Sequence, residues 1–263
     1  MIKKILKKVF MQLGYLLVKQ TSKERVKFLI DKLKPYKMDI ELIRLGPNGD
    51  GGYLIPNDLD GIKACFSPGV DDISEFERDC LNLGMKIYMA DKSIEKPNLN
   101  IPIDQYEFIK KHIGCTNNSS NITMDQWVNS SRLKEEDLLL QMDIEGSEYY
   151  SLINMSDSLM KRFRILVIEF HSLQELWNPQ FFNLAEIVFD KILQTHTCVH
   201  IHPNNDRGIY NHSGIGIPRT AEFTFIRNDR TKFENHQTQF PHKLDFDNTN
   251  KKTIVLPSNW YKN

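Results

Sequence analysis

Short apolar runs alternate with stretches of helical spacing along most of this chain. GIKACFS (61–67), KIYMAD (86–91), LLLQMD (138–143), RILVIEFH (164–171) and CVHIH (198–202) are nearly continuous in apolar character, as strands covered on both faces are. The segments around 72–83, 104–112, 147–161 and 179–196 repeat apolar residues every three or four positions and predict helices. Strand–helix alternation of this kind predicts an α/β fold, a doubly wound, mainly parallel sheet with helices on both faces. Two helices are expected ahead of it. In MIKKILKKVFMQLGYLLVKQ, Ile2, Ile5, Leu6, Val9, Phe10 and Leu13 share one helical face, and Lys3, Lys4, Lys7 and Lys8 lie elsewhere on the wheel. TSKERVKFLIDKLKPY follows, with Ser22 placed to cap its start and Pro35 to stop it. Residues 1–40 are thus expected to form a basic, amphipathic helical extension on a domain spanning 41–263. The tail beyond about 230 is polar, and only KKTIVLP (251–257) has the look of a final edge strand.

Composition changes this picture in one place. The 263 residues are ordinary globular material, 40% hydrophobic and 26% charged, with 34 basic and 34 acidic residues. Residues 1–38, however, hold eleven Lys/Arg against Glu24 and Asp31, so a front end of net +9 precedes a body of net −9. Four lysines in the first eight residues forbid a membrane span, and VKQTSK supplies no small-residue cleavage site. A basic amphipathic helix lying on an anionic membrane surface is one expectation, with a cytoplasmic protein peripheral to the inner membrane face. A helix docked on its own domain, or a dimer arm, is the other. No nucleic acid is expected among its partners. Cys65, Cys80, Cys115 and Cys198 show no paired spacing and suggest reduced thiols.

The chemistry is concentrated where the apolar runs end. In an open parallel sheet, ligands sit beyond the carboxyl ends of the strands. Here those ends carry Gly69 and Asp72, then Asp91, then Asp143 and Glu145, then Glu169 and His171, and finally His200, His202, Asn204 and Asn205. A strand, a glycine turn, a helix and a second strand ending in an acid make up a nucleoside-binding half, and Asp91 follows Gly69 by 22 residues. The turn FSPGVDDISEFE lacks G-x-G-x-x-G, and Asp71, Asp72, Glu75 and Glu77 would repel a pyrophosphate. A cationic, phosphate-free ligand such as S-adenosylmethionine fits it better than NAD does. Asp50, in DGGY, either closes a turn or reaches back to the ligand.

DGGYLIP, FSPGVDDISEFE, ADKS, ITMDQW, LLLQMDIEGSEY, LVIEFH and HIHPNN followed by AEFTF occur in an order that resembles the FkbM family of S-adenosylmethionine-dependent methyltransferases, over residues 43 to 228. The resemblance implies a class I methyltransferase sheet, Rossmann-like, of seven strands with the last antiparallel. It also implies O-methylation of a hydroxyl on a carbohydrate or lipid-linked glycan acceptor. By the same resemblance, Gly69 and Asp72 would line the methionine moiety with Glu77 behind them, Asp91 would hold the ribose, and Asp125 would lie near the adenine. Asp125 can equally serve the start of a helix.

A hydroxyl acceptor needs its proton removed or weakened. Two arrangements answer that need. In one, His171 is a general base held in tautomer by Glu169 or Asp143. In the other, Asp143, Glu169 and a histidine such as His200 hold a divalent metal, manganese or magnesium. Glu145, His200, His202, Asn204 and Asn205 are expected to face the acceptor. Asn204-Asn205 could instead be a plain turn, and Glu148 a favourable charge in a helix's first turn. A non-catalytic binding or scaffold protein with the same fold, or an NAD-dependent nucleotide-sugar enzyme, would share many of these features.

Overall fold

A computed structural model describes residues 2–15, 17–70, 73–99 and 102–262. Seven strands form the central sheet: β1 (Ala64–Pro68), β2 (Lys86–Ala90), β3 (Tyr106–Ile109), β4 (Leu138–Met142), β5 (Phe163–Phe170), β6 (His196–Pro203) and β7 (Ala221–Arg227). Their order across the sheet is β3-β2-β1-β4-β5-β7-β6. All neighbours run parallel except β7, which is antiparallel to both β5 and β6. The chain therefore winds outward from β1 to β3, returns, and winds the other way from β4. This makes the gap between β1 and β4 the topological switch point of a Rossmann-like α/β sheet.

The inner strands are covered on both faces, so there period two shows in which core a residue joins and not in polarity. Leu138, Leu140 and Met142 enter one core with Phe66, Leu166, Ile168 and Phe223; Leu139 enters the other with Cys65, Ile87, Ile165 and Val167. The described residues also form helices α1 (Ile2–Gln12), α2 (Lys23–Lys32), α3 (Glu75–Asn82), α4 (Met124–Ser130), α5 (Glu148–Asn154), α6 (Asp157–Arg162) and α7 (Pro179–Leu193), with short strands in four two-stranded sheets. The Ser22 hydroxyl caps α2 by accepting the Arg25 N–H, and Val26, Leu29 and Ile30 of that helix are buried in the larger core. The segment read as one helix over 147–161 is two, because Ser156 leaves the helical path and caps α6 with a bond from Leu159 N–H.

Two expectations are corrected. Residues 104–112 do not form a helix. After a single turn, Tyr106–Ile109 pairs with β2 as the edge strand β3, with Tyr106 and Phe108 packed against one core and Ile109 against the other. KKTIVLP is not a strand either. It runs irregularly to Pro257, buries Leu256, and is anchored by Trp260, whose indole N–H donates to Gly216 O at 2.9 Å. No helix among the described residues is long and apolar enough to cross a membrane.

The two edges of the sheet differ in how their charges are satisfied. At the N-terminal edge, Asp137 accepts from Arg164 and Arg227, and Asp58 accepts from Arg164 and Arg230. These are structural ion pairs. His196, at the start of β6, is fully buried; its Nε2 donates to Phe163 O at 2.7 Å and its Nδ1 lies 2.8 Å from the Thr195 hydroxyl. Burial pushes its pKa down to about 4. Because that value lies below the unfolded one, the unfolded chain takes the proton first. Stability is full above about pH 6.5 and falls by roughly 3 kcal/mol between pH 6.5 and 4. Urea unfolding of the wild type against His196→Gln should show that difference in slope.

Candidate functional site

The loops after β1 and β4 touch at the switch point, and glycine is required there. Gly69 has φ +87°, and a Cβ on it would lie 1.4 Å from Asp143 O. Its N–H donates to Ala90 O, and Asp143 N–H donates to Pro68 O, so three strand ends are stitched together. Two clefts open here. The first, about 440 Å³, is walled by Gly69, Val70, Tyr53, Glu77, Gln141 and Asp143. The second, about 480 Å³, is walled by Glu145, Glu169, His171, Asn204, Arg207 and Thr220. Asp50 and Asp143 belong to both.

Beneath the first cleft, the Ser67 hydroxyl lies between the Glu77 carboxyl and the Gln141 amide oxygen, and Gln141 Nε2 donates to the Tyr53 hydroxyl at 3.2 Å. Burial raises the pKa of Glu77. Asp91 stands at the end of β2, next to the Gly69 turn, and accepts from Ser93 N–H at 2.7 Å and from its hydroxyl at 2.6 Å. It is not among the residues walling either cleft. Asp72 lies outside the described residues.

The second cleft is built around His171. Its Nδ1 lies 3.2 Å from Glu148 Oε1, and that oxygen also accepts the N–H groups of Ile144 (3.2 Å) and Gly146 (2.9 Å). With Glu148 as the acceptor, Nδ1 carries a proton, and in the neutral ring the Nε2 lone pair is left free. Nε2 faces three carboxylates: Glu145 at 3.4 Å, Glu169 at 3.8 Å and Asp143 at 3.9 Å. Glu145 sits in a left-handed backbone conformation, φ +53°, at the turn between β4 and α5. Among the described residues, none of these three acids pairs with a lysine or arginine, in contrast to the opposite edge of the sheet. Burial, with Glu145 and Glu148 close by, lifts Asp143 to about pH 7 even though His171 pulls it down. Glu169 is raised well above the usual carboxylate range by burial and by Asp143. For His171, burial acts downward but the Glu148 bond and the neighbouring acids outweigh it, so its pKa is raised.

The expected residues therefore divide. Gly69, Glu77, Asp143, Glu145, Glu169, His171 and Asn204 converge on the two clefts. Asn204 reaches the site by donating to Glu169 Oε1 at 3.0 Å. His200 and His202 do not converge with them, and the expectation that His200 is a metal ligand is corrected. His200 Nε2 is committed to Asp245 at 2.8 Å, and His202 Nδ1 lies 3.7 Å from the same oxygen. Burial alone would raise Asp245, yet the two imidazoles hold it well below the usual range. Asn205 is engaged by the tail: its amide donates to Thr249 O and Lys251 O and accepts Thr249 N–H. Asp125 accepts from Ser156 N–H and hydroxyl, tying α4 to α6, while Thr123 caps α4.

Sequence reasoning undervalued Glu148 and Asp50. It missed the tail, where Asn248 donates to Asp50 (3.2 Å) and Glu222 (2.7 Å) and Thr249 lines the second cleft. Glu148 could have been found from its two-residue spacing after Gly146, which lets a carboxylate collect the N–H groups of the preceding turn. No local signal marks the tail. No family model and no curated protein matches this chain.

Proposed function

We propose that the protein is an S-adenosylmethionine-dependent O-methyltransferase of the class I, FkbM-like kind, acting on a hydroxyl of a carbohydrate or glycan. The observation that carries this reading is one carboxylate shared by two clefts: Asp143 joins a glycine-turn cleft suited to a cationic nucleoside to a polar cleft suited to hydroxyls. The strand order and the antiparallel seventh strand support it, since that winding puts both clefts at the switch point. The first cleft is acidic and offers no run of glycines, which favours a sulfonium and an ammonium over a pyrophosphate.

In the transfer, a lone pair of the acceptor oxygen forms the O–C bond to the methyl group. The C–S bond breaks, its electron pair returns to sulfur, and S-adenosylhomocysteine leaves neutral at sulfur. The hydroxyl proton is given up into the imidazole–carboxylate cluster around His171. Most of the rate comes from holding oxygen and methyl in line at near-attack distance. Calorimetric titration with S-adenosylmethionine should give one site per chain, and Asp91→Ala should weaken it about tenfold or more without changing the unfolding curve. Absence of heat from the wild type would favour the scaffold reading.

We propose further that α1 attaches the protein to an anionic membrane surface. Eight of the fifteen large apolar side chains exposed among the described residues lie between Ile5 and Val18, with Leu13 67% exposed. Lys7 and Lys8 are exposed beside them, which supplies the matching charge. The body is engaged from Gln20, whose side-chain oxygen lies 3.1 Å from His212 Nε2, and Thr21, whose N–H donates to Trp177 O. Removing residues 1–20 should release the protein from phosphatidylglycerol vesicles and leave its unfolding midpoint unchanged. A dimer that dissociates on the same deletion, without vesicle binding by the full chain, would assign the face to a second copy.

A further inference from the structure

We infer that Asp143, Glu145 and His171 form a binding site for a divalent cation of manganese type, with Glu169 at its margin. One ligand atom from each of the three residues lies within 4.8 Å of the other two. His171 Nε2 lies 3.4 Å from Glu145 Oε2 and 3.9 Å from Asp143 Oδ1. A cation held about 2.0–2.6 Å from each atom would fit among them with shifts of only tenths of an ångström.

Three independent features point to a cation and not to a self-contained network. Asp143 Oδ1 is shut off from solvent and has no hydrogen-bond partner among the described residues, an arrangement that is costly unless something else satisfies it. His171 presents an uncommitted Nε2 to this oxygen while Glu148 secures Nδ1. Glu148 is itself completely buried and fixed by two backbone N–H groups. A carboxylate behind the far nitrogen is how metal-ligating imidazoles are commonly oriented. Finally, five acids, Asp50, Asp143, Glu145, Glu169 and Asp206, wall one cleft in which, among the described residues, Arg207 is the only Lys or Arg side chain. Mixed imidazole and carboxylate donors suit manganese better than calcium.

The site deepens the methyltransferase reading and rests on it for its role, not for its occupancy. Because Asp143 belongs to both clefts, an ion on it stands at their junction, where it would orient an acceptor hydroxyl toward the methyl donor. Glu145 is the outer ligand, with a side chain 78% exposed, and can follow the ion in and out.

The test is a titration of the full-length, chelator-stripped protein with manganese chloride, following the free-ion paramagnetic resonance signal. One ion per chain is expected. Asp143→Asn and His171→Ala should weaken binding about 100-fold or more, and Glu148→Gln, a positioning change, about 10–100-fold. Glu145→Gln, at an exposed side chain, keeps the test valid should the buried variants fail to fold; it should weaken binding at least several-fold. Undiminished free signal at stoichiometric protein, or equal affinity in the wild type and Glu145→Gln, overturns the inference. Calorimetry with S-adenosylmethionine on the same samples separates the two claims. Cofactor bound without manganese sinks the ion site alone, and manganese bound without cofactor sinks the methyltransferase alone.

Discussion

His171→Ala is expected to lower kcat about 10²–10⁴-fold while leaving S-adenosylmethionine affinity within about twofold. The asymmetry follows from position. His171 walls the second cleft and not the first, so it meets the acceptor side of the reaction only. Its ring is held by Glu148 at Nδ1 and presents Nε2 to the cluster, so alanine removes the group that accepts a proton or ligates an ion, whichever serves the acceptor. Glu148→Gln should fall between wild type and His171→Ala, since an amide oxygen can still accept from Nδ1 but adds no charge. Single-turnover kinetics with labelled cofactor read both effects; a His171→Ala enzyme with an unchanged chemical step would remove the residue from the mechanism.

Gly69→Ala carries the largest expected effect on stability, a loss of about 3–5 kcal/mol or failure to fold, together with loss of cofactor binding. The left-handed backbone alone costs an L-residue about 1–2 kcal/mol. The larger share comes from collision: the new methyl would stand where Asp143 O now is, and that atom cannot move without separating the β1 and β4 loops. Gly146, also at positive φ but with nothing within 4 Å of a built Cβ, is the control and should lose only the conformational part. Equal losses at the two positions, in denaturant unfolding, would mean that close loop approach does not explain Gly69.

How much of this was legible depends on whether the decisive contact is local. LLLQMD and RILVIEFH announced buried strands because apolar side chains on both faces leave no other way to hide them. The spacing of Glu169 and His171 put them on one side of the chain's path, as found. Tyr106–Ile109 was misread because an edge strand of four residues runs into Lys110 and Lys111, and its alternation is too short to stand out from helical spacing. Glu148 looked like a helix-terminus charge; its actual partner, His171, lies 23 residues away, past the end of the neighbouring strand. His200 was misplaced for the same reason, since Asp245, 45 residues on, claims its imidazole. The tail contacts of Asn205 and Asp50 depend on a polar segment whose path only the folded body defines. Strand ends could be read as a rim of reactive groups, but not which members turn inward to the ligand and which are tied off by the tail.

The most direct measurement is a crystal structure of the full chain with S-adenosylhomocysteine. The account predicts sulfur in the cleft between the Gly69 turn and Asp143, the ribose beside Asp91, and the vacant methyl direction opening toward His171 across Asp143. Density for the nucleoside elsewhere on the molecule, or an occupied first cleft whose sulfur faces away from His171, would contradict it.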